Sequence, residues 1–494
     1  MKPEILAIVV AVALGGCSLV GPDYRVPDTA LVRTEAANGP FQAPGARDQA
    51  VPEHWRLYDD PEVEQLVREV LAANTDLRVA TAHLRKALAV EASVAADSHP
   101  RASVEADARR HQDALESSPL GVRPGVVNDA GVGLAISYDL DLFGKLARAE
   151  QAARADSDSA LAALELARTA VVAQTLSAYV QGCSATHQLA VARQQLALQA
   201  RSVDVVERLA AVGSGSKSDV DRARTQLASL RANLPPFEAA RDGAAYRLAA
   251  LQGKTSAQFS NQRPTCSREP RLAQPIPAGD GAALLRRRPD VRQAERQLAA
   301  ATARIGVAMA DLYPDIRLGA SAGLAGRFGD LAEQSASHFA FGPLLSWTIP
   351  DSGARARVKA AEADSEAALA NFDGVVLGAL RETETALTNY SRALVRNADL
   401  QDARDHAKGA AVDEDRLYRA GQSPYLSSLD ANRTLATAEA ELAASDAQVA
   451  LDQVDLFRAL GGGWRAAVSA YPSSVTASSP TAARASLRKN STTP

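Results

Sequence analysis

Leu426, Asp430 and Arg433, spaced four and three residues apart, are the best-placed chemistry in this chain. In a helix that spacing puts an apolar, an anionic and a cationic group on one face. They could serve one common target, or they could be an ordinary exposed charge pair of small energetic weight. Other motifs fail on inspection. Gly213-Ser214-Gly215-Ser216-Lys217-Ser218 has the look of a phosphate loop, but a serine stands where the glycine before the lysine is required. That stretch also falls between helices instead of after a strand. The seven histidines are scattered, without H-x-x-x-H spacing. The three cysteines form no C-x-x-C and no metal-ligand spacing. We therefore read no catalytic group, no cofactor and no metal site, and no enzyme. Cys183 sits in a helical run and Cys266 in a polar linker, and nothing in the sequence supports a bridge between them.

Cys17 carries different chemistry. Residues 5–14 form an apolar run of signal-peptide length, too short to span a bilayer. The run ends in Leu14-Gly15-Gly16-Cys17, which resembles a bacterial lipobox, so Cys17 is expected to be lipidated and to begin the mature chain. Ser18 after the cysteine suits the outer membrane. No later apolar run reaches the length of a transmembrane helix.

The bulk composition narrows the class. Net charge is −4 with a pI near 6.1, so no broad basic surface points to nucleic acid. Aromatic residues make up only 4%, so the usual anchors of a thick core are scarce. About a fifth of the chain is alanine, the best helix former, whose small side chain lets helices approach closely.

The elements that must position these residues are written twice. Asp76-Leu77-Arg78 and Pro100 recur as Asp290-Val291-Arg292 and Pro314; Tyr138, Gly144 and Arg148 recur as Trp347, Gly353 and Arg357. Arg208-Leu209-x3-Gly213 recurs as Arg416-Leu417-x3-Gly421. Each copy reads as a long helix, two alternating strands and two more long helices. The spacing predicts strands over about 101–111 and 129–141 in the first copy, and 314–325 and 338–350 in the second. Each has one apolar and one small or polar face, at a length that suits a tilted transmembrane strand. The helices after the hairpins, 144–212 and 353–420, contain no proline and would each reach about 100 Å. Pro235-Pro236 should kink the first return helix. We divide the chain into a signal peptide (1–16), a lipidated extended arm (17–60), a first repeat (61–252), a linker (253–283), a second repeat (284–463) and a disordered tail (464–494).

Four strands cannot close a barrel, and an open edge in lipid leaves unpaired backbone groups costing several kcal/mol each. Other copies must therefore complete the sheet. Two would give eight strands around a filled lumen, three would give twelve. The small inward residues favour twelve. Charges such as Glu150, Arg154, Glu165 and Arg168 keep the long helices out of the membrane, so they should form a tube continuing the barrel. A coiled-coil rod with incidental hairpins is the alternative, but the heptad pattern does not persist. The fold class is an α+β membrane protein: a homotrimeric 12-stranded transmembrane β-barrel, four strands per chain, continued by a long periplasmic α-helical barrel.

Several motifs in fixed order then resemble the TolC-like outer membrane efflux proteins, in their lipidated NodT-type branch. They are Gly16-Cys17, Val20-Gly21-Pro22-Asp23-Tyr24, Asp141-Leu142-Phe143-Gly144, Arg288-Pro289-Asp290-Val291-Arg292, Trp347-Thr348-Ile349-Pro350, Leu429-Asp430-Ala431-Asn432-Arg433 and Gly461-Gly462-Gly463-Trp464. The resemblance implies a homotrimer in outer-membrane lipid, docked to a periplasmic adaptor protein and an inner-membrane proton-driven pump. It also implies a channel gate of Leu426, Asp430 and Arg433, and a gate latch of Asp219 and Tyr418. The family's tip arginine falls at Ser423 and its second acidic gate position at Ser427, which leaves a single Asp430 ring. By the same resemblance Arg208, Leu209, Gly213, Arg416, Leu417 and Gly421 are the adaptor-docking tips, and both glycines also suit helix capping. Tyr138, Tyr313, Phe341 and Trp347 are candidates for an interfacial aromatic belt. The function expected is a passive, gated exit duct for small toxic molecules such as drugs. A protein-secretion duct and a sealed structural lipoprotein are the alternatives.

Overall fold

Apolar and polar residues alternate along four stretches, and each stretch forms a strand of one antiparallel sheet. The computed structural model describes residues 19–43, 58, 60–112, 114, 125–259, 266–270, 272, 276, 278–349 and 352–462. The expected signal peptide, Cys17 and the tail lie outside them. Strands β1 (Arg101–His111), β2 (Val127–Asp139), β3 (Asp315–Arg327) and β4 (Ser337–Ser346) pair in sequence order. The two hairpins are joined directly through β2 and β3. Rows across the sheet are uniform in chemistry: Val104 lies opposite Leu134, Leu134 opposite Ala322, and Ala322 opposite Phe339. The adjacent row on the other face reads Glu105, Gly133, Gly323 and His338. One face is therefore apolar along most of its length, with Arg110, Asn128 and Ser337 only at its end away from the helices, and its large side chains stand exposed in the single chain. The other face mixes glycines with charged and polar side chains such as Glu105, Asp107 and Arg317, and it is tight at Gly323, where a Cβ would lie 2.6 Å from the Val132 carbonyl oxygen.

Proline and asparagine set where the helices begin. Asp60 caps α1 (Pro61–Ala73), and Asn74 both ends α1 and caps α2 (Thr75–Ala96) through the amides of Asp76 and Leu77. After the first hairpin, α3 (Lys145–Ala211) runs unbroken for 67 residues, about 100 Å. Its return limb is broken at Asn233 into α4 (Lys217–Ala232) and α5 (Leu234–Leu251), with Pro235-Pro236 in the first turn of α5. In the second copy α6 (Gly281–Arg287) and α7 (Pro289–Ala310) precede the hairpin. There α8 (Ser352–Arg419, 68 residues) is answered by a continuous α9 (Tyr425–Ala459).

Alanines form much of the contact surface. Ala155 of α3 packs with Ala299 and Ala300 of α7. The thickest core gathers Val67 and Val70, Tyr179, Leu248, Val454 and Phe457, and so joins both copies. Cys183 lies in that core and is bonded to Cys266, with Cα atoms 5.3 Å apart. This corrects the sequence reading, which gave the pair no support. The two residues are 83 apart, so only the folded path of the linker brings them together. In the chain-entropy picture a loop of that length contributes about 4.5 kcal/mol.

Residues 19–43 form an extended strap. Val20 N–H donates to Phe143 O, and buried Arg148 donates to the carbonyls of Val20 and Gly21 and to Asp23. Gly21, at φ 87°, rests on the Gly306 backbone where a Cβ would lie 2.5 Å away. Further along, the Leu31 amide donates to Asp373 and those of Gln42 and Ala43 to Glu384.

Candidate constriction and helical tips

Both tips, at the far end of the long helices from the sheet, close with the same turn. Gly213 has φ 75°, and Ser214 N–H donates to Leu209 O at 2.9 Å. Gly421 has φ 70°, and Gln422 N–H donates to Leu417 O, also at 2.9 Å. These are six-to-one bonds of a Schellman ending, which needs the left-handed conformation that glycine adopts most easily. The repeated Leu-x3-Gly is therefore the geometry of a helix stop. The arginine before each leucine is tied locally, Arg208 to Asp204 and Arg416 to Asp413 at 3.2 Å. Leu209 and Leu417 remain partly exposed, at 37% and 38%.

The two return limbs start differently. Ser216 caps α4 in a capping box: the Asp219 amide donates to Ser216 Oγ at 3.1 Å, and the Ser216 amide donates to Asp219 Oδ2 at 3.2 Å. The Ser216 hydroxyl and amide hold the Asp219 carboxyl below the usual carboxylate range. Asp219 and Tyr418, expected as a latch, share no hydrogen bond within the chain. Instead Tyr418 lies against Tyr425 with ring centroids 5.3 Å apart. The α9 limb begins after Pro424 without a side-chain cap.

Leu426, Asp430 and Arg433 all lie on the exposed face of the first turns of α9, with Ser428 buried on the other face. Leu426 is 67% exposed. Neither the Asp430 carboxylate nor the Arg433 guanidinium pairs with another described residue. The expected pair does not neutralise itself, so both charges are presented outward. In the first copy Arg222 stands at the position of Asp430 and donates to Ser218 Oγ at 3.1 Å.

At the opposite end, where the helices meet the sheet, charges are paired. Asp311 lies 2.6 Å from Lys145 and 3.1 Å from Arg357. Burial raises its pKa, but the two cations outweigh this and hold the carboxyl below its ordinary range. Tyr313 stacks on Phe143 at 4.5 Å, and Trp347, just past β4, donates to Leu312 O at 3.2 Å. Sequence reasoning noticed Arg148 only as a repeated residue; its role as the clamp of the strap needed the fold. The signal available was its recurrence as Arg357, which grips Asp311 instead.

A family model described as Outer membrane efflux protein matches residues 66–254 and 282–462, covering both copies. The chain belongs to the outer membrane efflux protein family. Nodulation protein T of Rhizobium leguminosarum bv. viciae is 32% identical over 95% of each chain. The probable efflux pump outer membrane protein TtgC of Pseudomonas putida is 30% identical over 94% of this chain and 96% of that one. Among solved structures, the outer-membrane channel OprN superposes with a TM-score of 0.80 at 35% identity, over 90% of this chain and 99% of that one. As a member of this family the chain is an outer-membrane efflux duct. Among the described residues no helix is long and apolar enough to cross a membrane. The four strands, with their exposed apolar face, are the spanning elements.

Proposed function

We propose that three copies of this chain close into a 12-stranded barrel and a helical tube, forming the passive, gated exit duct of a tripartite efflux pump. Its cargo would be small toxic molecules such as drugs, delivered by a periplasmic adaptor and a proton-driven inner-membrane pump. The observation that carries the reading is the pair of open edges, β1 and β4, on a sheet with one largely apolar face. In lipid those backbone groups have no water to satisfy them, and only further copies can. Threefold repetition would bring Leu426 and Asp430 into an apolar collar and a single anionic ring at the tips, favouring cations. Asp219 and Tyr418 would latch that end across subunits. Exposed Leu209 and Leu417, presented beside their glycine turns, would form the adaptor surface with Arg208 and Arg416.

Lipidation at Cys17 fits the same picture. Leu19 lies against Gly144, next to the turn between β2 and α3, so the strap begins at the membrane-proximal end. Planar-bilayer recording tests the gate. The wild-type trimer should conduct little and prefer cations; Asp430→Ala should raise conductance and weaken that preference. A variant as closed and as cation-selective as the wild type would overturn the assignment, and a dimer by native mass spectrometry would overturn the architecture.

A further inference from the structure

His187, Glu269 and Asp446 come from three separate elements, α3, the linker and α9, and converge near the Cys183–Cys266 bond. One ligand-type atom from each lies within 4.8 Å of the other two. His187 Nδ1 and Glu269 Oε2 are 3.1 Å apart, and their side chains are only 14% and 7% exposed. Two ligands bound to one ion at about 2.0–2.1 Å come that close to each other.

Charge does not balance in the cluster as it stands. Two carboxylates face one imidazole, so even a protonated His187 leaves a net negative charge in a shielded place. Glu269 Oε1 and Ser184 Oγ are both buried, and beyond the influence of that hydroxyl and of His187, which hold Glu269 ionised, Oε1 has no hydrogen-bond donor of standard geometry among the described residues. Asp446 has a neutral partner outside the cluster: Asn397 Nδ2 donates to its Oδ1 at 2.8 Å. Outer partners of this kind orient metal ligands.

We propose that His187, Glu269 and Asp446 form a binding site for a divalent first-row transition cation, with Zn2+ the best match to one imidazole and two carboxylates. The ion would clasp the linker to a helix of each repeat, beside the covalent clasp that the disulfide makes to α3 alone. The site is distinct from the gate and carries no transport step.

The test uses the full-length chain in detergent, without a polyhistidine tag, stripped with a chelator and titrated with Zn2+ alone. One Zn2+ per protomer should survive dialysis, counted by elemental mass spectrometry, and the thermal midpoint should rise. X-ray absorption should show a single imidazole with oxygen ligands. His187→Ala and Asp446→Asn should each weaken binding roughly tenfold or more. The asparagine variant is nearly isosteric, so it decides the matter if the alanine variant fails to assemble. No retained Zn2+ in the wild type, or wild-type affinity in Asp446→Asn, would overturn the proposal.

Discussion

Arg288 Nη1 donates to the carbonyl oxygen of Ala459 at 2.8 Å, tying the start of α7 to the last residue of α9. The first copy makes the same tie with a neutral group: Asn74 Nδ2 donates to Leu251 O at 3.0 Å. Both carbonyls end a helix that stops at a glycine with positive φ two residues on, Gly461 and Gly253. Arg288 adds what Asn74 lacks, ion pairs to Asp290 and to Glu382 of α8.

That difference predicts unequal costs. Burial disfavours the Arg288 charge, but Asp290 and Glu382 more than compensate and raise its pKa. Arg288→Ala leaves the Ala459 carbonyl and Asp290 without their charged donor, and losing charge-assisted hydrogen bonds of this kind costs about 2–3 kcal/mol, while half-exposed Glu382 returns to water. Asn74→Ala removes a cap and one hydrogen bond, worth about 1–2 kcal/mol. Thermal unfolding of the two variants should rank them in that order; equal midpoints would refute it.

Gly213→Ala and Gly421→Ala force an alanine into the left-handed region, at about 1–2 kcal/mol each. Nothing crowds a Cβ at either site, so the cost is backbone strain alone. Hydrogen exchange should quicken only around the altered tip, with assembly unchanged. In a reconstituted pump, efflux should fall although the Asp430→Ala phenotype of the isolated duct persists.

Removing the disulfide by Cys183→Ala with Cys266→Ala should lower stability by up to about 4.5 kcal/mol. Limited trypsin digestion should then cut faster at exposed Arg268, two residues from the lost bridge. An unchanged rate would mean that linker packing alone suffices.

Acid should loosen the junction below the barrel. Asp311 has a lowered pKa in the folded chain, so its contribution is complete above its unfolded value, near pH 4. The contribution disappears as pH falls below that through the depressed folded value. Asp311→Asn should flatten this part of the stability–pH curve, so that its deficit relative to the parent is largest above pH 4 and shrinks as the pH falls. The readout is the thermal midpoint across pH 3–6.

Local chemistry in the sequence was enough for the elements and their order. Period-two alternation marks the strands, and the proline-free stretches mark α3 and α8, because both signals depend on near neighbours. The tip glycines were legible for the same reason. The capping box was equally local, as Ser216-x-x-Asp219, and it engages a residue that family resemblance assigns to a latch. What stayed hidden depends on the folded path of the chain. Cys183 meets Cys266, Arg148 meets the Val20 carbonyl, and β2 meets β3 only once the second repeat has returned beside the first. Leu426, Asp430 and Arg433 could be placed on one face, but the absence of a bond between Asp430 and Arg433 is a matter of rotamers.

The open edges of β1 and β4 have a genetic consequence. Each subunit of a head-to-tail ring must serve two neighbours, so one defective edge spoils the whole ring. In a cell making equal amounts of parent and edge-blocked chains, with random mixing, about one ring in eight would be free of the defect. An inactive allele of that kind should act dominantly, whereas a null allele should be recessive.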